Sequence, residues 1–267
     1  MGIALAMLIA IARHTPDDLK RFASYLYMMG NWYIVHHGWS LDNPLEPLWS
    51  ISVEEQFYLI WPLVIALTGE LGAWISAVFF ALLSIGVTFH LANTGAQLDS
   101  QIWCNSFVQF LMFAAGILFA LGLKGRMPEL PNWLRCLFPP IAFALWFFSV
   151  AVLRTKTYGY AQGGFAVPLG YVLTAIGCIL LCASLLGVNA KMPSALVYLG
   201  KISFGLYVFH LLASQLVAKT HIHHDAIFQK PLALGLTILL ASISYRYFET
   251  PFLRIKNRRA IIHTRPE

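Results

Sequence analysis

Charge is what this sequence has least of. Only 11% of its 267 residues are Asp, Glu, Lys or Arg, against 58% hydrophobic. A soluble globular domain carries roughly 25% charged residues, and a mean hydropathy of +0.68 leaves too little polar surface to wrap an apolar core. A water-soluble fold is excluded on that ground. Cysteine is sparse as well: Cys104, Cys136, Cys178 and Cys182, with no CxxC pair. Cys178 and Cys182 lie one helical turn apart in an apolar run and read as small core residues rather than metal or redox groups. Walker loops, dinucleotide fingerprints and GxSxG elbows are absent. Met1 opens into an apolar run with no basic n-region, so the sequence reads without a secretory signal peptide. The net charge of +6 gives no nucleic-acid signal, because its basic residues fall between apolar runs and at the C-terminus.

What is there instead is a series of apolar runs, at 1–12, 48–68, 71–92, 105–123, 136–153, 167–187, 198–218 and 231–248. About 20 such residues cross a bilayer as a helix, and lipid demands that every backbone group be satisfied internally. The expected fold is therefore all-α, a polytopic transmembrane bundle of about seven or eight segments. The run at 1–12 is too short to cross alone and reads as the second half of a helix. One membrane domain over 1–253 is expected, followed by a basic tail at 254–267 with Arg254, Lys256, Arg258, Arg259 and Arg265. Placing that tail in the cytoplasm puts the 124–135 and 188–197 connections inside, and 13–47, 93–104, 154–166 and 219–230 outside. The long 13–47 connection is rich in aromatics and holds Asn31, His36 and His37. Two readings stand for it: a segment folded over a cavity, or an interfacial aromatic belt.

Three stretches carry candidate chemistry. In the first, PLWSISVEEQFYLIWPL over 47–63, two carboxylates enter an apolar span, where ionisable groups face a cavity or a partner. Ser52 and Glu55 have the spacing of a helix-capping box, which would make Glu55 structural. Glu54 has no such role and shares a face with Tyr58 and Trp61. In the second, Ser203, Tyr207, His210 and Ser214 recur at i, i+4, i+7 and i+11, one polar stripe expected to face the bundle interior or a wet cleft; an interhelical hydrogen-bond seam is the alternative. In the third, YRYFETPF over 245–252, Arg246 and Glu249 are spaced to pair and Pro251 to stop the helix. His221, His223, His224 and Asp225 look like a metal cluster but read as an exposed loop, and no metal is expected.

In this order, the three stretches resemble the acyltransferase 3 family of membrane proteins. The first is similar to that family's Trp-Ser-x-Ser-x-Glu-x-x-Phe-Tyr run, the second to its Ser-x-x-x-Tyr-x-x-His helix, and the third to its closing Tyr-x-x-Glu-x-Pro-Phe, shifted by one residue in spacing. The helix with Phe113 and Gly116 also fits. The resemblance covers about residues 20 to 255. It implies a bundle of about ten helices that moves an acyl group, usually acetyl from acetyl-CoA, to a hydroxyl of a cell-envelope saccharide such as lipopolysaccharide, peptidoglycan or exported polysaccharide. It implies Glu54, Glu55 and His210 as catalytic groups, and Trp49, Ser50, Ser52, Tyr58, Tyr207 and Asn31 as substrate-binding groups. The expected setting is the bacterial inner membrane. Expected partners are an acyl-CoA donor, a saccharide or glycolipid acceptor and the lipid bilayer, with no nucleic acid.

The sequence also departs from the family. The family's first two helices carry an Arg and then a His, its usual catalytic base, whereas Met1 falls where the third helix is half complete. Arg13-His14 comes after that segment and is no replacement. The expectation is a chain truncated at its N-terminus, with an inactive or partner-dependent fragment as one rival to the enzyme. A small-solute transporter is the other, since polar residues in membrane helices also suit a permeation path.

Overall fold

The computed structural model of the chain describes residues 16–40, 43–155, 158–188, 191–219 and 226–259. The runs at 1–12 and 260–267, Arg13-His14 and the His221–Asp225 cluster lie outside the described residues. Among those described, ten α-helices occur and no β-strand. They are α1 (Pro16–Leu26), α2 (Gly30–His37), α3 (Trp49–Asn93), α4 (Ser106–Leu123), α5 (Asn132–Ala151), α6 (Ala166–Leu185), α7 (Ser194–Lys201), α8 (Ser203–Lys219), α9 (Ala226–Ser244) and α10 (Thr250–Arg259). Five described helices are long and apolar enough to cross a membrane, or six if α7 and α8, bent by 71°, form one broken span. The expected all-α membrane bundle is what forms.

The 45 residues of α3 would make a straight rod of about 67 Å, but Gly69 breaks it at φ 64° and ψ −159°. Phe57 before the break and Phe80 after it both touch the ring of Phe110, at centroid distances of 6.0 and 5.6 Å. Those two residues would stand about 35 Å apart on a continuous helix. The element therefore doubles back at Gly69 as two antiparallel legs. These are the separate runs expected at 48–68 and 71–92, and counting them apart gives six described spans, or seven if α7 and α8 form one. Glycine is required at the break, because this φ/ψ region is essentially closed to residues with a Cβ.

The chain forms two compact units, 23–39 with 49–189, and 1–22 with 40–48 and 190–267. In the first, α4 packs on α3 and α5 on α6, with α6 also against α3 and α4. Small residues let backbones approach, as membrane packing favours: a Cβ on Gly177 would stand 2.5 Å from Trp146 Nε1 and 3.2 Å from the Ala142 carbonyl. The connections gather at two ends. At one end Leu98 N–H donates to the Gly159 carbonyl (2.9 Å) and Ala161 N–H to the Ala96 carbonyl (2.9 Å), while Trp103 lies 6.0 Å from Trp49. At the other end Arg135 donates to the carbonyls of Pro128, Ser184 and Leu186 at 2.9, 3.0 and 2.7 Å. The connections expected on one side of the membrane, 93–104 with 154–166, thus meet each other, as do 124–135 and 186–188.

In the second unit α8 packs on α9 around Ile202, Phe209, Leu212 and Ala241. A Cβ on Gly205 would meet the Ala241 backbone at 3.0 Å. Here two local expectations fail. Pro251 does not stop the helix: it is the second residue of α10, which runs on to Arg259 across the 253/254 boundary. A π-helical turn at Tyr245–Glu249, with Ser244 and Thr250 both in the right-handed helical region, carries the helix on from α9 into α10, and the altered hydrogen-bond ladder of such a turn accommodates a proline. The same turn changes the spacing of the side chains. Arg246 lies over the Tyr247 ring at 5.7 Å and Glu249 accepts from Ser244 Oγ at 3.4 Å, in place of the Arg246–Glu249 pair.

Substituting Gly69 with Ala forces a Cβ into the glycine-only region at a cost of about 1–3 kcal/mol. The expected result is a lower thermal unfolding midpoint in detergent, and an unchanged midpoint would show that the turn relaxes. The exposed Gly86→Ala, mid-helix in the second leg, is the matched control.

Candidate functional site

The first leg of α3 presents two different faces. Val53, Phe57 and Trp61, spaced four apart, are buried, and Phe57 stacks on Trp61 (5.5 Å) and Phe113 (4.3 Å). Glu54, Glu55 and Tyr58 are exposed on the other side. Trp61 therefore leaves the face it was expected to share with Glu54, since its large ring reaches into the aromatic core. The capping box is not used as a cap either. A 3-10 turn at Glu46–Leu48 precedes α3, the helix begins at Trp49, and Ser52 is already inside its first turn and buried. Ser50 is half-buried.

Trp49 is held in an aromatic run. Its ring lies 6.4 Å from Trp39 and 6.0 Å from Trp103, and Trp103 lies 6.2 Å from Tyr171. Trp39 Nε1 donates to the Asp99 carbonyl at 3.0 Å. Tyr171 is buried, and its hydroxyl meets no hydrogen-bond partner among the described residues. The aromatic 13–47 connection is thus partly helical, and its Trp39 enters the protein core.

Asn31 is 0% exposed, so no substrate reaches it in this conformation. Its amide contacts Gln56, Ser106 and the Cys104 carbonyl at 2.8 to 3.0 Å. Neither Gln56 nor Ser106 stands out in the sequence, because their partners lie 25 to 75 residues away.

In the second unit the Ser203, Tyr207, His210 and Ser214 stripe forms as one face of α8, but it is exposed, opposite the face packed on α9. Gly205, Phe209 and Leu212 take the face packed on α9, so of the settings expected for the stripe the described residues leave the wet cleft. Tyr207 donates its hydroxyl to the Pro47 carbonyl. His210 Nδ1 lies 2.6 Å from the Tyr207 carbonyl. A carbonyl only accepts, so Nδ1 is the donor in this contact, and Nε2 is the ring nitrogen left for another partner.

The second unit also holds a buried ion pair that no sequence motif signals. Arg21 pairs with Glu46, whose carboxylate also accepts from the Ser40 N–H at 3.2 Å. The pair fixes the segment before α3 to α1. A groove of about 730 Å³ lies along α7, lined by Met192, Ser194, Ala195, Val197, Tyr198 and Lys201. It includes none of the expected site residues. Among the described residues, no three His, Cys, Asp or Glu side chains come together to hold a metal.

A family model described as an acyltransferase domain matches residues 20–246. A peptidoglycan O-acetyltransferase of Listeria monocytogenes is 25% identical over 284 residues, covering 93% of this chain and 43% of its own length. A Bacillus subtilis protein provisionally named a peptidoglycan O-acetyltransferase is 26% identical, covering 90% of this chain and 41% of itself. A Staphylococcus aureus protein provisionally named an O-acetyltransferase is 23% identical, covering 86% and 40%. The chain thus spans about two fifths of the length of these curated relatives. No solved structure matches it.

Removing one partner of a buried ion pair costs about 3–5 kcal/mol, whereas replacing both by apolar residues costs far less. Glu46→Gln is therefore expected to lower the thermal midpoint more than the double variant Arg21→Met/Glu46→Leu. The reverse order, measured in the same detergent, would mean that the carboxylate is not held by Arg21.

Proposed function

The chain belongs to the acyltransferase domain family, and from that premise we propose that it moves an acetyl group from acyl-CoA to a hydroxyl of a cell-envelope saccharide. The observation that carries this reading is the family match across 20–246 together with the exposed carboxylates of Glu54 and Glu55 on an apolar membrane helix. Charged groups at such depth are rare and mark substrate paths or proton transfer. Relatives named for peptidoglycan favour a peptidoglycan hydroxyl over lipopolysaccharide as the acceptor to test first.

The chemistry needs a base for the attacking hydroxyl and a group to settle the thioester oxyanion. His210 is the candidate for the first task, through Nε2. Glu54 and Glu55 suit acceptor positioning and proton transfer; Tyr58 is exposed beside them and Ser50 is half-buried on the same helix, whereas Trp49 and Ser52 are buried. Sidedness supports the division. Lys124, Arg126 and Arg135 mark one end of the larger unit, and that end is cytoplasmic by the excess of basic residues. Glu54 and Glu55 lie near the start of the first leg, at the opposite, outer end, where a saccharide acceptor arrives. Lys201 at the α7 groove faces no carboxylate of its own segment, since 187–219 contains no Asp or Glu, and the groove falls within the common size of ligand pockets. We assign it to the anionic phosphates of coenzyme A. The setting is a bacterial inner membrane with the C-terminus cytoplasmic.

The test is acetyl transfer from labelled acetyl-CoA to peptidoglycan fragments in membranes containing the chain. Glu54→Gln is expected to lower kcat by about 10²–10⁴-fold, the usual reach of acid–base catalysis. Unaltered transfer would remove Glu54 from the mechanism, and solute movement without thioester cleavage would favour a transporter. Lys201→Gln is expected to raise KM for acetyl-CoA roughly 10- to 100-fold, as loss of a hydrogen bond to a charged group does, with the acceptor KM unchanged. An unchanged donor KM would take the groove out of the donor site.

A further inference from the structure

Three side chains beside the carboxylates close a hydrogen-bonded ring. Asn31 Nδ2 donates to Ser106 Oγ (2.8 Å), Ser106 Oγ donates to Gln56 Oε1 (2.6 Å), and Gln56 Nε2 donates back to Asn31 Oδ1 (2.9 Å). Each member gives one bond and accepts one. The direction is fixed from outside the ring, because turning the amides round would set their oxygens against the Cys104 and Met28 carbonyl oxygens. The second hydrogens are also used. Asn31 donates to the Cys104 carbonyl (3.0 Å) and Gln56 to the Met28 carbonyl (2.6 Å). All four amide N–H bonds are therefore satisfied, in a chain where an unpaired buried donor is costly.

The ring ties together three elements: α2 through Asn31, the first turns of α3 through Gln56, and the first residue of α4 through Ser106. It also holds Met28, whose φ of 57° is in the left-handed region, uncommon for a residue with a side chain. Gln56 points inward about 200° around the helix from Glu54 and about 100° from Glu55. A helix gripped at Gln56 cannot turn about its axis, so the directions in which both carboxylates project are fixed. The apolar contacts of Val53 and Phe57 permit small rotations, whereas hydrogen bonds of this geometry do not.

We propose that the Asn31–Gln56–Ser106 ring is a positioning device for Glu54 and Glu55, and that Gln56 and Ser106 thereby act in acyl transfer without touching substrate. This rests on the role given above to the carboxylates. It also moves Asn31 from substrate contact to positioning.

Ser106 supplies the cleanest test. Ser106→Thr keeps the hydroxyl and Ser106→Val removes it, while both add the same bulk. The Val variant is expected to lose about 10²-fold in kcat, the effect of a misplacement of about 1 Å, with both KM values within twofold of the parent. The Thr variant is expected to stay within a few fold of the parent. Amide hydrogen exchange over residues 49–58 is expected to speed up in Val but not in Thr. Gln56→Glu, which cannot donate to Asn31 Oδ1, is expected to follow Val. Equal activity and exchange in Val and Thr overturns the proposal. If Glu54→Gln still abolishes transfer in that case, the role of the carboxylate stands and only the ring fails. If exchange separates Val from Thr while Glu54→Gln and Val both transfer acetyl normally, the underlying reading of the carboxylates is overturned, and the proposal with it.

Discussion

A polar group inside a bilayer has no water to fall back on, and the placement of nearly every hydroxyl in this protein follows from that constraint. Thr68, Thr88, Thr174, Ser214, Thr237 and Ser242 each donate to the carbonyl four residues earlier. They are satisfied within their own helix and leave its packing face apolar. Besides Ser106, two serines do more. Ser84 Oγ donates to the Val108 carbonyl (2.6 Å), linking α3 to α4. Ser149 Oγ reaches both its own helix at Leu145 (2.8 Å) and the Gly170 carbonyl (3.0 Å), linking α5 to α6. Such bonds contribute modestly each, but in lipid they select one register, because the alternatives leave a donor bare.

The same constraint explains why some features are readable in the sequence and others are not. Runs of apolar residues report on lipid directly, so the spans at 48–68, 71–92, 105–123, 136–153, 167–187, 198–218 and 231–248 are legible from composition along the chain. The break at Gly69 is legible only as a gap between runs. The polar stripe of α8 is legible because its period is local. Short motifs mislead when they are taken out of context. A Ser-x-x-Glu spacing acts as a cap only if the helix starts there, and the 3-10 turn at Glu46–Leu48 puts the start at Trp49. Arg246 and Glu249 pair only on an α-helix, and the π turn removes that geometry.

Of the candidate site, residue types are legible and partnerships are not. Glu54, Glu55 and His210 are conspicuous because polar and ionisable groups are costly at membrane depth. Glu46 is buried and gives no such signal, since its partner Arg21 lies 25 residues away in a connection that reads as merely polar. Gln56 is hidden by its neighbours: beside two carboxylates, an uncharged amide carries no electrostatic signal. Only the fold, which brings position 31 and position 106 to it, shows what it binds.

That difference bears on how a charged group is tolerated here. Glu46 is kept by a salt bridge and by a backbone N–H, so its charge is neutralised within the chain. Glu54 and Glu55 are exposed, and the polar contacts converge on Gln56, the residue next to them. A carboxylate that serves only stability gains from a partner of its own. A carboxylate that serves a changing reactant has to be held in place while its oxygens stay accessible. Holding the backbone through a neutral neighbour meets both demands at once, and the first turns of α3 have that arrangement.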